Sequence, residues 1–158
     1  MSPRAAWRLE SLGFRRVYDY VAGKKAWGSF GLPREGTNVP PNSARDVARR
    51  DVPTCSAHER LAEVRERARS AGWDTAIVVN DERIVLGRLG RKALASEADV
   101  SAEEGMTPGP VTVRPSIGTD ALLERMRERD LTSYVVTTPD GRLVGLVRRA
   151  DLERATRP

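Results

Sequence analysis

The sequence predicts an α/β (α+β) protein built from two βαββα units in tandem, preceded by a short helix–strand–helix appendage. Three observations carry this. The chain repeats itself at a gapless shift of 58, which lays Thr54 on Thr112, Val78 on Val136, Gly87 on Gly145 and Leu94 on Leu152, and internal repeats outrank single motifs as evidence of architecture. In the second unit the apolar run Tyr134-Val135-Val136-Thr137-Thr138 meets a Pro139-Asp140-Gly141 reversal and a second apolar run, Leu143 to Val147, the pattern of a hairpin. The 158 residues, 39% hydrophobic and 31% charged, provide one domain of ordinary size with a strongly solvated surface.

The appendage comes first. Residues Arg4 to Leu12 place Ala5, Trp7, Leu9 and Leu12 at helical spacing and end at Gly13, which predicts a short amphipathic helix. Val17 to Val21 reads as a strand, and Gly23 to Phe30 as a second helix stopped by Gly31 and Pro33. Such a unit is too small to fold alone and must dock. It holds Trp7, Trp27 and both phenylalanines, a concentration that suggests a face for a partner. Thr37 to Asn42, with Pro40 and Pro41, reads as a linker, and Ser43 as the cap of a helix from Ala44 to Arg49.

Each repeat then reads as strand (Pro53 to Cys55; Val111 to Val113), helix (Leu61 to Ser70; Thr119 to Arg129), strand (Thr75 to Val79; Ser133 to Thr137), strand (Ile84 to Leu89; Leu143 to Val147) and helix (Arg91 to Ala95; Arg149 to Ala155). Leu122, Leu123 and Met126 line one face of the second repeat's long helix. One unit of this size would bury too little surface; two together make a core. The organisation expected is an appendage over 1–36, a linker over 37–43, a first repeat over 44–100 and a second over 101–158.

Composition narrows the function. No apolar run is long enough to span a membrane, and Met1 to Arg4 lacks the apolar core of a secretory signal. A lone cysteine, Cys55, fits a reducing compartment, so the expectation is a cytoplasmic protein. The net charge is +5 with a pI near 10.0, and of 27 basic residues only Lys24, Lys25 and Lys92 are lysines, leaving 24 arginines. Those over Arg60 to Arg69 and Glu124 to Asp130 are mixed with Glu and Asp at helical spacing, which describes a solvated helix face rather than a nucleic-acid surface. One histidine, His58, and one cysteine make no metal cluster. No Gly-rich phosphate loop and no Ser/His/Asp spacing occurs, so no enzyme is expected.

Two resemblances add to this reading. Leu9 to Trp27 with Gly31-Leu32-Pro33 resembles the C-terminal end of rhodanese-like domains, whose catalytic cysteine precedes the helix that opens this chain; the segment is therefore read as a remnant lacking the catalytic loop, with no sulfurtransferase activity. Met106-Thr107-Pro108 through Pro115, Asp140-Gly141-Arg142-Leu143-Val144-Gly145-Leu146-Val147 and Ala150-Asp151-Leu152 look like a CBS domain, and the register of 58 extends the likeness to a tandem CBS pair, or Bateman module. That resemblance implies two repeats packed about a pseudo-twofold axis, a homodimer, an unidentified protein partner, and AMP, ADP or ATP bound in clefts between the repeats, with no cofactor. It implies one candidate cleft formed by Thr54, Trp73, Thr75, Leu146, Arg148 and Asp151. Asp151 would accept the ribose hydroxyls, and Arg148 stands where a Ser or Thr is usual, able to pair a phosphate or to fill the cleft. The symmetry-related cleft has Gly90 and Ala93 at the corresponding positions, with Thr112 from the partner repeat, and so lacks the acid. Each residue also has a plainer reading: Asp151 favours the helix dipole, Thr54 and Thr112 are ordinary β-branched strand residues, and Trp73 is core.

Overall fold

The computed structural model describes residues 3–18, 22–32 and 42–155. Helices α1 (Pro3–Ser11) and α2 (Gly23–Ser29) form at the two places where the appendage was expected to be helical. The strand expected over 17–21 is not seen in its described part: Val17 and Tyr18 join no sheet, and residues 19–21 lie outside the described residues. Trp7, Leu12, Phe14 and Tyr18 are exposed, at 65%, 58%, 60% and 79%. The appendage meets the rest of the chain where α2 ends. Gly31, at φ +68, sits so close that an added Cβ would fall 2.9 Å from the Pro115 side chain. The linker read over 37–43 falls outside the described residues except for Asn42 and Ser43.

The first repeat supplies β1 (Thr54–Cys55), α4 (Leu61–Ser70), β2 (Ala76–Val79), β3 (Val85–Leu89) and α5 (Arg91–Ala95), preceded by a one-turn α3 (Ala44–Val47). The second supplies α6 (Ala102–Gly105), β4 (Thr107–Pro108), β5 (Thr112–Val113), α7 (Thr119–Glu128), β6 (Ser133–Thr137), β7 (Leu143–Arg148) and α8 (Arg149–Ala155). β1 runs parallel to β2 and β5 to β6, and β2 and β6 pair antiparallel with β3 and β7 respectively. Even the irregularities repeat: the β2–β3 register shifts between Val78 and Val79, and the β6–β7 register between Val136 and Thr137. Alternation of side chains across the pleat fixes which residues reach the core. Val135, Val136 and Tyr134 of β6 are each at most 1% exposed, because α7 covers one face of the sheet and the other repeat the opposite one.

The two repeats exchange their leading segments. Helix α3 precedes the first repeat in the chain, yet Ala44 belongs to the core of the second, with Leu122, Met126 and Val147. Helix α6 precedes the second, yet Ala102 is buried in the core of the first, with Leu61, Val64 and Leu89. Backbone bonds anchor both: Ala44 N–H donates to Ile117 C=O at 2.8 Å, and Ala102 N–H to Glu59 C=O at 2.8 Å. Strand β4 then adds to the edge of the first repeat's sheet, giving the order β1-β2-β3-β4 beside β5-β6-β7. Its counterpart is Arg49, which exchanges two backbone bonds with Leu146 at 2.9 and 3.0 Å.

This exchange explains the glycines of the 58-residue register. A Cβ on Gly145 would meet the Arg49 carbonyl oxygen at 2.6 Å, and one on Gly87 would meet Met106 Cγ at 2.7 Å. Each glycine leaves room for the other repeat's arm: Gly145 for the backbone of Arg49, Gly87 for the side chain of Met106. Both arms also begin with a capping box. Asp46 Oδ2 accepts from the Ser43 N–H and hydroxyl, and Glu104 Oε2 from the Ser101 N–H and hydroxyl, all at 2.8 Å.

A cationic groove between the repeats

The ends of β2 and β3 in one repeat and of β6 and β7 in the other converge on a cavity of about 1080 Å3. Its walls obey the internal symmetry: Thr75 corresponds to Ser133, Asp74 to Thr132, and Arg91 at the start of α5 to Arg149 at the start of α8. The floor does not. Arg88 of β3 takes the position that Leu146 fills in β7, so a charged side chain reaches across from one repeat where the other has a leucine.

Arg88 is held by hydroxyls of both repeats. Its Nε donates to Thr75 Oγ1 at 3.0 Å and its Nη2 to Ser133 Oγ at 2.9 Å. Thr75 Oγ1 in turn donates to the Leu89 carbonyl at 2.8 Å, which fixes the hydroxyl's acceptor side toward the guanidinium. Burial pulls the Arg88 pKa below the ordinary arginine value, partly offset by the Asp74 carboxylate. Arginine remains charged through such a shift. The nearer carboxylate, Asp74, is itself engaged: Arg91 donates to it from two nitrogens at 2.8 and 3.3 Å and holds it below the usual carboxylate range.

Beside this lies Trp73, 5% exposed. The Arg148 guanidinium stands 3.9 Å from the centroid of its ring, and Arg49 lies 4.7 Å from it, both within cation–π range. Trp73 Nε1 has no hydrogen-bond partner within bonding geometry. Arg49, which donates to Asp51 at 2.6 and 3.2 Å, holds that carboxyl below the usual carboxylate range.

Of the six residues expected to form one cleft, Trp73, Thr75, Leu146 and Arg148 line this cavity, and Thr54 and Asp151 do not. Thr54 lies half-buried on the edge strand β1, opposite Ile77. Asp151 follows Arg148 by three residues and is ion-paired to Arg154 through Oδ1, while its Oδ2 is buried with no hydrogen-bond partner. In the symmetry-related position Gly90 precedes α5 and Ala93 packs against the first repeat's core, and Thr112 is exposed. Arg88, Lys92 and Arg149 line the groove without having been singled out in the sequence. A charge at a strand position where the other repeat carries a leucine was the available signal for Arg88.

The remaining candidates are accounted for by packing. Cys55 is 3% exposed, and burial, the first cause, with Glu59 behind it, pushes its thiol up to about 11. A thiol kept neutral in a core is no nucleophile. His58 is exposed in the turn before α4. Among the described residues no group of three His, Cys, Asp or Glu side chains could hold a metal, and no helix is long and apolar enough to cross a membrane.

The family model of the CBS domain matches residues 44–99 and 98–157. Uncharacterized protein MK0525 of Methanopyrus kandleri is 24% identical over 118 residues, covering 70% of this chain, which spans 60% of that relative's length. The cytosolic domain of the Mg2+ channel MgtE in complex with ATP is similar at a TM-score of 0.65 and 22% identity, over 72% of this chain and 48% of the other. CBSX2 of Arabidopsis thaliana in complex with AMP is similar at a TM-score of 0.64 and 18% identity, over 72% and 94%. At these identities the structural likeness concerns the fold.

Proposed function

The chain belongs to the CBS domain family, and on that premise we propose that it is a non-enzymatic regulatory module that binds an adenine nucleotide, AMP, ADP or ATP, in the groove between its repeats. The observation that carries the proposal is the groove itself: cations from both repeats, Arg88 foremost, beside the buried indole of Trp73. Phosphates suit the guanidinium groups, which offer paired donors to an anion. An adenine suits the indole face, which Arg148 covers until it turns toward the phosphates. The ribose suits Asp151, whose unpartnered Oδ2 bears an unsatisfied buried acceptor's cost until a hydroxyl donates to it. Thr54 completes the proposed contacts from the edge strand.

Because the groove is built from both repeats, a ligand that fits one relative placement better than another shifts the balance between them by its difference in affinity. The CBSX2 and MgtE structures carry AMP and ATP respectively, which supports this class of ligand. The proposal includes a cytoplasmic homodimer, tested by sedimentation, that transmits the signal to a protein partner. It retains the division at 1–36, 37–43, 44–100 and 101–158, with residues 1–36 as a rhodanese-like remnant that serves for docking. Calorimetric titration with AMP, ADP and ATP to millimolar concentration tests the central point. Saturable heat supports it, and no heat with no thermal shift sinks it.

A second reading, a structural dimerisation module with no working ligand site, is favoured by Arg148 lying on Trp73 and by Arg154 engaging Asp151. It predicts that Asp151→Ala behaves like the parent in the same titrations.

A further inference from the structure

The groove holds more positive charge than its own carboxylates answer. Arg69, Arg88, Arg91, Lys92, Arg148 and Arg149 line it, against Asp74 and Glu153. From outside the groove Glu66 pairs with Arg69 at 3.9 Å and Asp130 with Arg149 at 3.4 Å, which leaves Arg88, Lys92 and Arg148 with no carboxylate in an ion pair among the described residues. Both carboxylates are committed, Asp74 to Arg91 at 2.8 Å and Glu153 to Arg127 at 3.6 Å. Arg88 is the telling residue. It is partly withdrawn from water and held by two neutral hydroxyls, one from each repeat, with no carboxylate in an ion pair with it among the described residues. A desolvated cation held in place by neutral donors and acceptors is costly unless an anion joins it. Low local dielectric then strengthens the attraction for that anion.

We infer that the centre of the groove is a polyphosphate site. A ligand's chain of phosphates spans the internal axis and is held by Arg88 and Lys92 from one repeat and Arg148 and Arg149 from the other. The protein therefore discriminates among adenine nucleotides by the number of phosphates. The inference rests on the nucleotide reading and adds to it the ligand's charge class and three residues outside the expected cleft. A monophosphate offers the cations of the two repeats fewer oxygens than a polyphosphate does. Each further phosphate adds charge-assisted bonds, and Arg88, already held by two hydroxyls, needs no new ordering to make its own. Inorganic tripolyphosphate presents the same chemistry without the base and competes for the site.

The test is calorimetric titration of the full chain, free of divalent cations, with AMP, ADP, ATP and sodium tripolyphosphate. Lys92→Ala, an exposed change that leaves the core intact, is run beside Arg88→Gln. Affinity is expected to rise from AMP to ATP by roughly tenfold or more, and tripolyphosphate is expected to displace ATP. Lys92→Ala is expected to weaken ATP by a few-fold and AMP by less. AMP binding as tightly as ATP, or tripolyphosphate failing to displace it, overturns the inference and leaves the nucleotide reading standing. Tripolyphosphate binding without any nucleotide binding overturns the nucleotide reading and keeps the anion site. Silence from all four ligands overturns both.

Discussion

The guanidinium of Arg148 lies 3.9 Å from the centroid of the Trp73 ring, joining the end of β7 in the second repeat to the turn after α4 in the first. A cation over an indole is worth about 0.5–2 kcal/mol, more as it is desolvated. Arg148→Met, which keeps the stem, is expected to lower unfolding stability by about that amount in urea denaturation. An unchanged midpoint would mean the stack contributes nothing to joining the repeats.

The exchanged arms predict an asymmetry between two equivalent glycines. Gly145→Ala drives a methyl group into backbone, the Arg49 carbonyl at 2.6 Å and its carbon at 3.1 Å, whereas Gly87→Ala meets mainly the flexible end of Met106. Overpacking of this kind costs about 1–3 kcal/mol. Gly145→Ala is expected at or beyond the top of that range and Gly87→Ala near the bottom, measured by urea unfolding. Equal losses would show that the arm beside Gly145 moves as freely as a methionine side chain.

The arms also predict an acid dependence. Hydrogen bonds from the Ser101 N–H, first, and the Ser101 hydroxyl hold Glu104 below the usual carboxylate range. A depressed pKa in the folded state contributes stability above the unfolded value, about pH 4, that is lost as pH falls through the folded one. The stability difference between the parent and Glu104→Gln should therefore be present at pH 7 and shrink below pH 4. A difference independent of pH would assign it to something other than the charged cap.

Cys55 carries the opposite sign. Burial raises its thiol from an ordinary 9.0 to about 11, so the folded state keeps the proton longer. That costs nothing below pH 9 and destabilises as pH climbs from there toward 11. At pH 8 an aromatic disulfide reagent should modify Cys55 only as fast as the chain opens, and at once in urea. Rapid modification of the folded protein would place the thiol at the surface.

The repeat was legible because strands and long helices obey local periodicity, and the residues at a spacing of 58 kept their roles. Helix α7, with Leu122, Leu123 and Met126, and the β6–β7 hairpin lie where the pattern put them. Helix α6 and strand β4 were missed although Ser101 and Glu104 have capping-box spacing. Their stability comes from docking on the other repeat, which no local pattern encodes. The strand read over 17–21 has alternating apolar residues, but its described part finds no partner strand. At the site, position in the repeat brought Trp73, Thr75, Leu146 and Arg148 to one cavity. Arg88 was passed over because a strand arginine reads as an outward charge until the second repeat is seen to pack above it.

The most direct test is the emission of Trp73 alone, with Trp7 and Trp27 both replaced by phenylalanine, as ATP is added. Nucleotide in the groove should lift Arg148 from the indole and change the emission along a saturable curve that matches the calorimetric one. Binding heat with no change in Trp73 emission, or no binding at all, would contradict the account.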